Sequence, residues 1–214
     1  MLYFSLLAPR QKIVYQNLAK RLNVSITPVV QALIRLQQSN LVRYKPNKGS
    51  FVGEITEDEA RELYQAREAL ELYCVPLILK NLNPEKVKSI KLAFKEYNKA
   101  TFREVRRTLM IRDAHFHLKV MEHAGNTVIL DILKELFEKI YLRYKPEYLW
   151  EERIKEATQE HLTILNLLNK CDAERIQSAL RQHLRKGMNH IIRNLRATEL
   201  AFFPEEVRLW SISV

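Results

Sequence analysis

The chain has 214 residues, with 35 Lys and Arg against 25 Asp and Glu and a formal net charge of +10. Hydrophobic residues make up 47% of it and there are four Gly and seven Pro, which excludes a disordered, collagen-like or low-complexity protein. No apolar stretch approaches the roughly 18–20 residues of a membrane span, and Cys74 and Cys171 suit a reducing compartment, so we expect a cytoplasmic protein with free thiols.

The positive charge is concentrated at the start of the chain. Residues 1–53 contain eight Lys and Arg and no Asp or Glu, whereas acidic and basic residues nearly balance in the remainder. An acid-free basic segment indicates a polyanionic partner. We therefore predict two domains, a basic domain over residues 1–53 and a nearly neutral domain over residues 54–214.

The basic segment predicts two helices and a β-hairpin. A first helix spans residues 16–22, and a second begins at Ser25 or Thr27, carries Pro28 in its first turn and ends near residue 39. Strands over residues 41–44 and 50–52 flank a basic turn in which Gly49 adopts a positive φ. This order is that of a winged helix-turn-helix, which binds double-stranded DNA. The alternative is a small basic subdomain that only packs on the rest of the chain.

The remaining residues predict a mainly α protein, an all-α antiparallel helical bundle with no convincing strand. Thr56 and Glu59 form a capping-box pair at the start of the first helix, which extends to about residue 82. Five further helices are predicted over residues 84–99, 102–123, 126–144, 147–169 and 172–199.

Three of these helices carry a candidate metal site. Asp113 and His117 are four residues apart and therefore face the same way, while His161 and His183 lie among apolar residues of two later helices. If they converge, one carboxylate and three imidazoles form a ligand set suited to Zn²⁺, Ni²⁺, Mn²⁺ or Fe²⁺. The spacing alone equally allows an acid–histidine pair on a helix surface and two ordinary core histidines.

The basic segment resembles the GntR family of bacterial transcription regulators. The resemblance rests on residues 18–36, LAKRLNVSITPVVQALIRL, on the following Leu41-Val42 and on the turn that ends in Lys48-Gly49. The resemblance implies that Ser25, Thr27, Arg35, Lys48 and Gly49 contact DNA. Gln31 and Lys45 are added because of their positions in the second helix and in the basic turn. The candidate DNA-binding residues are Ser25, Thr27, Gln31, Arg35, Lys45, Lys48 and Gly49.

The sequence departs from the family pattern in two respects. Ile26 and Val30 stand where the family commonly has arginines that bind DNA, and losing a bidentate arginine removes roughly 1–3 kcal/mol of base discrimination. The operator therefore differs from the common pattern, or specific binding is weak. The family also generally has a full helix before the position of Pro9, so we expect a truncated first helix with Leu2, Phe4, Leu6 and Leu7 as its remnant.

The rest of the chain resembles the FadR-type, or FCD, ligand-sensing domain of the same family. The motifs are DAHFHL at 113–118, Asn126, EHLTIL at 160–165, Asp172 and QHL at 182–184. They imply a divalent metal on Asp113, His117, His161 and His183, with Zn²⁺ or Ni²⁺ ranked before Mn²⁺ or Fe²⁺, and a small carboxylate effector beside the metal. His115, His123 and His190 fall outside the pattern and are expected at the surface.

Arg67 matches an arginine that the family commonly shows on the first helix of this domain. A guanidinium binds a carboxylate with two parallel hydrogen bonds, which suits an effector-binding role. The alternative is an ion pair with Glu71 or Glu68 on the same helix.

These observations predict a homodimeric transcription regulator that is not an enzyme, binds an operator and responds to a metal and a small carboxylate. Two alternatives remain open. A metal-dependent hydrolase would use open metal positions to activate water, although no His-Glu-x-x-His motif is present. A metal- or metabolite-binding protein with degenerate DNA recognition is consistent with the missing arginines.

Overall fold

The computed structural model describes residues 7–103 and 106–202, and it is mainly α-helical as predicted. A small head of two helices and a sheet is followed by a body of six α-helices within the described residues. The predicted remnant residues Leu2, Phe4 and Leu6 lie outside the described residues. None of the described helices is both long and apolar enough to cross a membrane.

The head contains a three-stranded antiparallel sheet beside its two helices. Its elements are β1 (Lys12–Ile13), α1 (Tyr15–Leu22), α2 (Ile26–Gln38), β2 (Val42–Lys45) and β3 (Gly49–Val52). The strand order is β1-β3-β2. The prediction of two strands was incomplete, because β1 pairs with β3 at Lys12↔Phe51 and Ile13↔Ser50. A two-residue strand is too short to show the alternation by which strands are identified in a sequence.

Local signals explain the elements of the head. Ser25 occupies the N-cap position of α2, although its side chain makes no capping hydrogen bond. Asn23 ends α1 in the left-handed conformation at φ 54°, and Gly49 has φ 95° in the hairpin, as predicted. The buried side chains of Val29 and Leu33 fix α2 against the sheet.

The body is a bundle around one apolar core. Its helices are α3 (Glu57–Asn81), α4 (Pro84–Arg103), α5 (Arg106–Glu122), α6 (Thr127–Tyr141), α7 (Glu151–Leu168) and α8 (Ala173–Phe202). The most extensive packing is that of α3 against α8, while α5 packs against α4 and α6. Fully buried Ile78, Ile90, Leu133 and Leu168 belong to the core. Of the two cysteines, Cys74 is buried, Cys171 is exposed, and both are free.

Several helix ends in the body differ from the prediction, since α4 extends to Arg103 instead of residue 99 and α8 to Phe202 instead of about residue 199. The structure ends α6 at Tyr141 and begins α7 at Glu151, with a short 3-10 turn at Pro146–Tyr148 between them. Proline lacks the N–H that a continuing helix requires, which accounts for the interruption. The predicted capping box is present, since Thr56 Oγ1 accepts from the backbone N–H of Glu59 at 3.2 Å and Glu59 accepts from the backbone N–H of Thr56 at 3.1 Å.

Head and body meet through a short connection. β3 ends at Val52 and α3 begins at Glu57. Between them the backbone passes so close to β2 that a Cβ on Gly53 would lie 2.5 Å from the carbonyl oxygen of Asn40. Arg43 of β2 reaches across to Glu59 at 3.5 Å. The connection is therefore held on both sides by direct contacts.

Candidate functional site

The four predicted metal ligands come together in the body. The Nε2 atoms of His117 and His183 lie 3.0 Å apart, and the Nε2 of His161 lies 3.2 Å from each. Asp113 adds an oxygen 3.5 Å from the Nε2 of His161. One possible ligand atom from each of the four residues lies within 4.8 Å of all the others.

Two carboxylates, the buried Glu71 and the partly buried Glu160, orient the imidazoles. Glu71 lies 2.8 Å from Nδ1 of His117, and Glu160 lies 2.7 Å from Nδ1 of His183. An ionised carboxylate only accepts hydrogen bonds, so each Nδ1 carries the proton and each Nε2 presents a lone pair. Lone pairs that face one another at this distance repel unless a cation lies between them. The chemistry of the donor set therefore fits a divalent metal.

The spacing of the nitrogens also fits a metal ion. Metal–imidazole bonds to Zn²⁺ are about 2.0–2.1 Å long. Nitrogens 3.0–3.2 Å apart can therefore bind one ion at mutual angles of roughly 90–100°. Three imidazoles at such angles leave positions on the ion for Asp113 and for a further ligand.

Burial and hydrogen bonding set the charge state of this cluster. Burial alone would raise the pKa of Glu71, but the charge of Arg67 and the contact with His117 outweigh it and hold the pKa at about 2. Glu160 also has a pKa of about 2, because hydrogen bonds from His183 and Arg153 outweigh its burial. Burial lowers the pKa of His183 and lowers that of His161 well below its usual value. Neutral imidazoles beside ionised carboxylates are the form that binds a metal.

A cavity of about 70 Å³ adjoins the cluster, and Asp113 and His183 belong to its wall. Arg67, which is 1% exposed, lines the same cavity, and its Nε donates to Glu71 at 2.9 Å. The ion pair with Glu71, one of the two predicted alternatives, is therefore present. Arg67 Nη2 and His161 Nδ1 are the two buried side-chain atoms of the described chain that have no hydrogen-bond partner. Glu68, the other predicted partner, instead contacts Arg185 at 2.9 Å.

Sequence reasoning missed four residues of this site. Glu71 and Glu160 orient the histidines, Tyr141 donates its hydroxyl hydrogen bond to Asp113, and Arg153 binds Glu160 at 2.8 Å. In the sequence, Glu71 was considered only as an ion-pair partner of Arg67, and Glu160 only as part of the motif at 160–165. Neither pattern indicated that Glu71 bonds to His117 or Glu160 to His183, because each of these histidines lies on another helix.

The other three histidines lie outside the cluster, but one of them is not at the surface. His115 is exposed and His123 is partly buried, with its Nε2 2.9 Å from the hydroxyl of Ser89. The prediction of a surface position is wrong for His190, which is 8% exposed. His190 is buried because its Nε2 finds partners in the carbonyl oxygen of Tyr148 and the side chain of Asn194, both at 3.0 Å.

The candidate DNA-binding residues all lie on the head. Thr27, Gln31 and Arg35 are exposed and follow one another at four-residue spacing on the face of α2 opposite Val29 and Leu33. Ser25 is exposed at the start of the helix. In the hairpin, Lys45 and Lys48 are exposed and Gly49 is half-buried. These residues thus occupy the exposed face of α2 and the tip of the hairpin.

Comparison with known protein families gives two matches. Residues 62–186, more than half of the chain, match the family model described as the FCD domain. Residues 5–52 match the model described as bacterial regulatory proteins of the gntR family.

Curated proteins and solved structures agree with these matches. The HTH-type transcriptional regulator McbR of Escherichia coli K12 is 26% identical over 202 residues, covering 94% of this chain and 86% of the relative. The HTH-type transcriptional repressor RspR of the same organism is 23% identical, covering 94% and 88%. The structure of E. coli McbR/YncC superposes with a TM-score of 0.78 at 22% identity, covering 90% and 92%.

Proposed function

The chain belongs to the GntR family of bacterial regulatory proteins, and on that premise we propose that a divalent metal and a small carboxylate, both bound in the body, control its binding to operator DNA. It is a DNA-binding transcription regulator with an FCD ligand-sensing domain. Its named relatives are regulators and not enzymes, so the hydrolase alternative has no support from them. We propose residues 1–53 as the DNA-binding domain and residues 54–214 as the sensing domain.

The metal part of the proposal rests on one observation, the convergence of three imidazole Nε2 atoms. Glu71 and Glu160 bind the Nδ1 atoms of His117 and His183, and the Nδ1 of His161 has no partner among the described residues. Asp113, His117, His161 and His183 would hold the ion, with Zn²⁺ or Ni²⁺ ranked before Mn²⁺ or Fe²⁺. When bound, the metal supplies a positive charge and an open coordination position for an anion.

The effector part rests on Arg67. Its Nη2 is buried without a hydrogen-bond partner among the described residues, and its side chain lines the cavity that Asp113 and His183 also line. A buried donor without a partner costs roughly 1–3 kcal/mol, and a carboxylate in the cavity would relieve that cost. The guanidinium is fixed in place because its Nε binds Glu71 and its Cζ lies 3.9 Å from the ring centre of Phe137.

Contacts between the site and the head support a route for the signal. Tyr141 donates to Asp113 at the end of α6, and Arg143, two residues later, contacts Glu59 at 3.1 Å. Glu59 also contacts Arg43 of the head at 3.5 Å. A displacement of Asp113 on ligand binding would shift Tyr141 and Arg143 together. The end of α6 would thereby reposition the head.

We propose that the regulator acts as a homodimer, because two heads on adjacent half-sites give the affinity that one head of this size lacks. The candidate surface on each head is the exposed face of α2 with the hairpin tip. Ile26 and Val30 occupy positions where the family commonly has arginines, so phosphate contacts from Arg35, Lys45 and Lys48 carry a large share of the affinity.

Fluorescence anisotropy tests this function. Chelator-treated protein, then the same protein with Zn²⁺ or Ni²⁺, is titrated onto DNA from upstream of its own gene and onto scrambled DNA of equal composition. We expect tighter binding to the upstream DNA, and a change of roughly 5- to 150-fold when metal and carboxylate are present. Equal affinity for the two DNAs, or no response to metal, would contradict the proposal.

A further inference from the structure

The cavity beside the metal cluster is mostly apolar. Beside Arg67 and the metal ligands, Arg153, His190 and four tyrosines line it, and its apolar wall is formed by Leu109, Met110, Leu149, Ile154, Ala157 and Ile191. Its volume of about 70 Å³ gives room for about five water-sized groups. A ligand that fills it must therefore be small and must place most of its surface against hydrocarbon.

The polar groups around the cavity are largely in use. The hydroxyl of Tyr141 binds Asp113, and that of Tyr144 is 2.9 Å from the side-chain nitrogen of Asn194. Arg153 directs both terminal nitrogens to Glu160, at 3.1 and 2.8 Å. Arg67 Nη2 is the one cavity-lining side-chain nitrogen among the buried, unpartnered atoms of the described chain. The wall thus has a donor for one carboxylate and no comparable donor for a second.

The charges of the cluster also favour a ligand with a single carboxylate. The buried carboxylate of Glu71 and the partly buried carboxylates of Asp113 and Glu160 face two buried guanidiniums, those of Arg67 and Arg153. The protein groups therefore sum to one negative charge, and a divalent ion with neutral imidazoles changes the sum to one positive charge. Each unit of uncompensated buried charge is costly.

One anionic group on the ligand offsets the single positive charge of the metal-loaded cluster, whereas a second anionic group would leave the cluster negative. Lys186 approaches Glu160 at 3.0 Å but is 55% exposed, so water screens its charge.

Building on the proposed function, we propose that the ligand is a compact aliphatic monocarboxylate, bound by its single carboxylate at Arg67 beside the metal and by its hydrocarbon part in the apolar cavity. Di- and tricarboxylates are disfavoured because Arg153, the second guanidinium of the cavity wall, already binds Glu160 through both terminal nitrogens, and a second carboxylate would otherwise meet Leu109, Ile154 and Ile191. The charge balance of the cluster and the apolar wall of the cavity together indicate this class of ligand.

Matched pairs of ligands test the proposal by isothermal titration calorimetry on the Zn²⁺-loaded full-length protein. Butyrate is compared with succinate, and pentanoate with glutarate, each pair differing by one terminal carboxylate. We expect the monocarboxylate to bind at least about tenfold more tightly, which corresponds to about 1.4 kcal/mol. Equal or tighter binding of the dicarboxylates, or no binding of either class, would overturn it.

Two variants sharpen the test. Leu149→Arg adds a cation to the half-buried cavity wall and should raise the affinity for succinate relative to butyrate. Leu92→Arg adds the same charge on the exposed face of α4, where Leu92 is 58% exposed, and should leave the order unchanged. A succinate gain in both variants, or in neither, would contradict the cavity assignment.

Metal content, measured on the same samples, separates this inference from the proposed function. Protein that retains no Zn²⁺ contradicts the proposed function itself. Protein that retains Zn²⁺ and prefers dicarboxylates contradicts only the ligand class.

Discussion

The head and the body expose their functional residues in opposite ways. On the head, Thr27, Gln31 and Arg35 project into solvent, and within the described ranges their side chains have no hydrogen-bond or ion-pair partner. In the body, His117 and His183 are buried, and each binds a carboxylate as well as the other histidines.

This difference predicts two kinds of response to substitution. Isolated surface side chains contribute to binding nearly additively, so a change on the head should alter DNA affinity without disturbing the fold. Buried residues of one network are coupled, so a change at Glu71 affects Arg67 and His117 together. Substitutions on the head and changes in the body can therefore be expected to differ in how far their effects spread.

Acidification should produce the largest effect, because four groups of the body with shifted pKa values titrate, three of them buried and Glu160 partly buried. His161 and His183 bind protons less readily when folded, so stability falls as the pH drops below the ordinary histidine pKa of 6.5. Glu71 and Glu160, with pKa values of about 2, contribute stability that is fully present above the ordinary glutamate pKa of 4.5 and is lost as the pH falls from 4.5 to 2. Thermal melts of metal-free protein from pH 8 to pH 3 measure this loss of stability. A melting temperature independent of pH would contradict the buried charge network.

Glu71→Gln should weaken metal binding by about 10- to 100-fold, because His117 loses the carboxylate that fixes its tautomer. Competition with a chromophoric chelator measures the affinity. Glu68→Gln, three residues away on α3, is the matched control, since Glu68 contacts Arg181 and Arg185 and not the histidines. Equal affinities in the two variants would show that Glu71 does not orient the ligand set.

Glu59→Gln should reduce the response of DNA binding to metal and carboxylate by about fivefold, roughly 1 kcal/mol of coupling, while metal affinity is unchanged. The amide removes the charge that binds Arg43 and Arg143 but can still serve in the capping box of α3. Anisotropy titrations with and without ligands measure the response. Glu62→Gln, at an exposed position of the same helix, is the control. An undiminished response in Glu59→Gln would exclude this junction as the route.

Lys48→Ala should have the smallest effect, a decrease of about 0.9 in the slope of log affinity against log salt concentration, as expected for one lost phosphate contact. Lys155→Ala removes an equal charge from the body, where Lys155 pairs with Glu151. Its slope should equal that of the unsubstituted protein. Identical slopes for both variants would remove the hairpin tip from the DNA interface.

Much of the architecture was predictable because local signals specify it. The capping pair at Thr56 and Glu59 and the positive φ of Gly49 were recognised from residue type and spacing alone. β1 was missed because its two residues acquire a strand conformation only by pairing with β3. Pro146 separates the predicted fifth body helix, over residues 147–169, from the helix before it, and the structure has a break at the same place.

The site was less predictable than the fold. The sequence indicated the four candidate ligands, since Asp113 and His117 share a helix face and His161 and His183 lie among apolar residues of later helices. The structure places His161 and His183 beside Asp113 and His117. The partners that orient them could not be found in this way, since Glu71 lies 46 residues from His117 and meets it only through the packing of α3 against α5. His190 was misplaced for the same reason, because its partners Tyr148 and Asn194 depend on tertiary structure.

Metal retention tests the central claim most directly. Chelator-stripped protein is reloaded with Zn²⁺ or Ni²⁺, freed of excess ion by gel filtration and analysed for metal, alongside the double variant Asp113→Ala/His183→Ala. The account predicts about one ion per chain and a raised melting temperature for the unsubstituted protein, and neither for the variant. Equal metal content in the two proteins, or no metal in either, would contradict it.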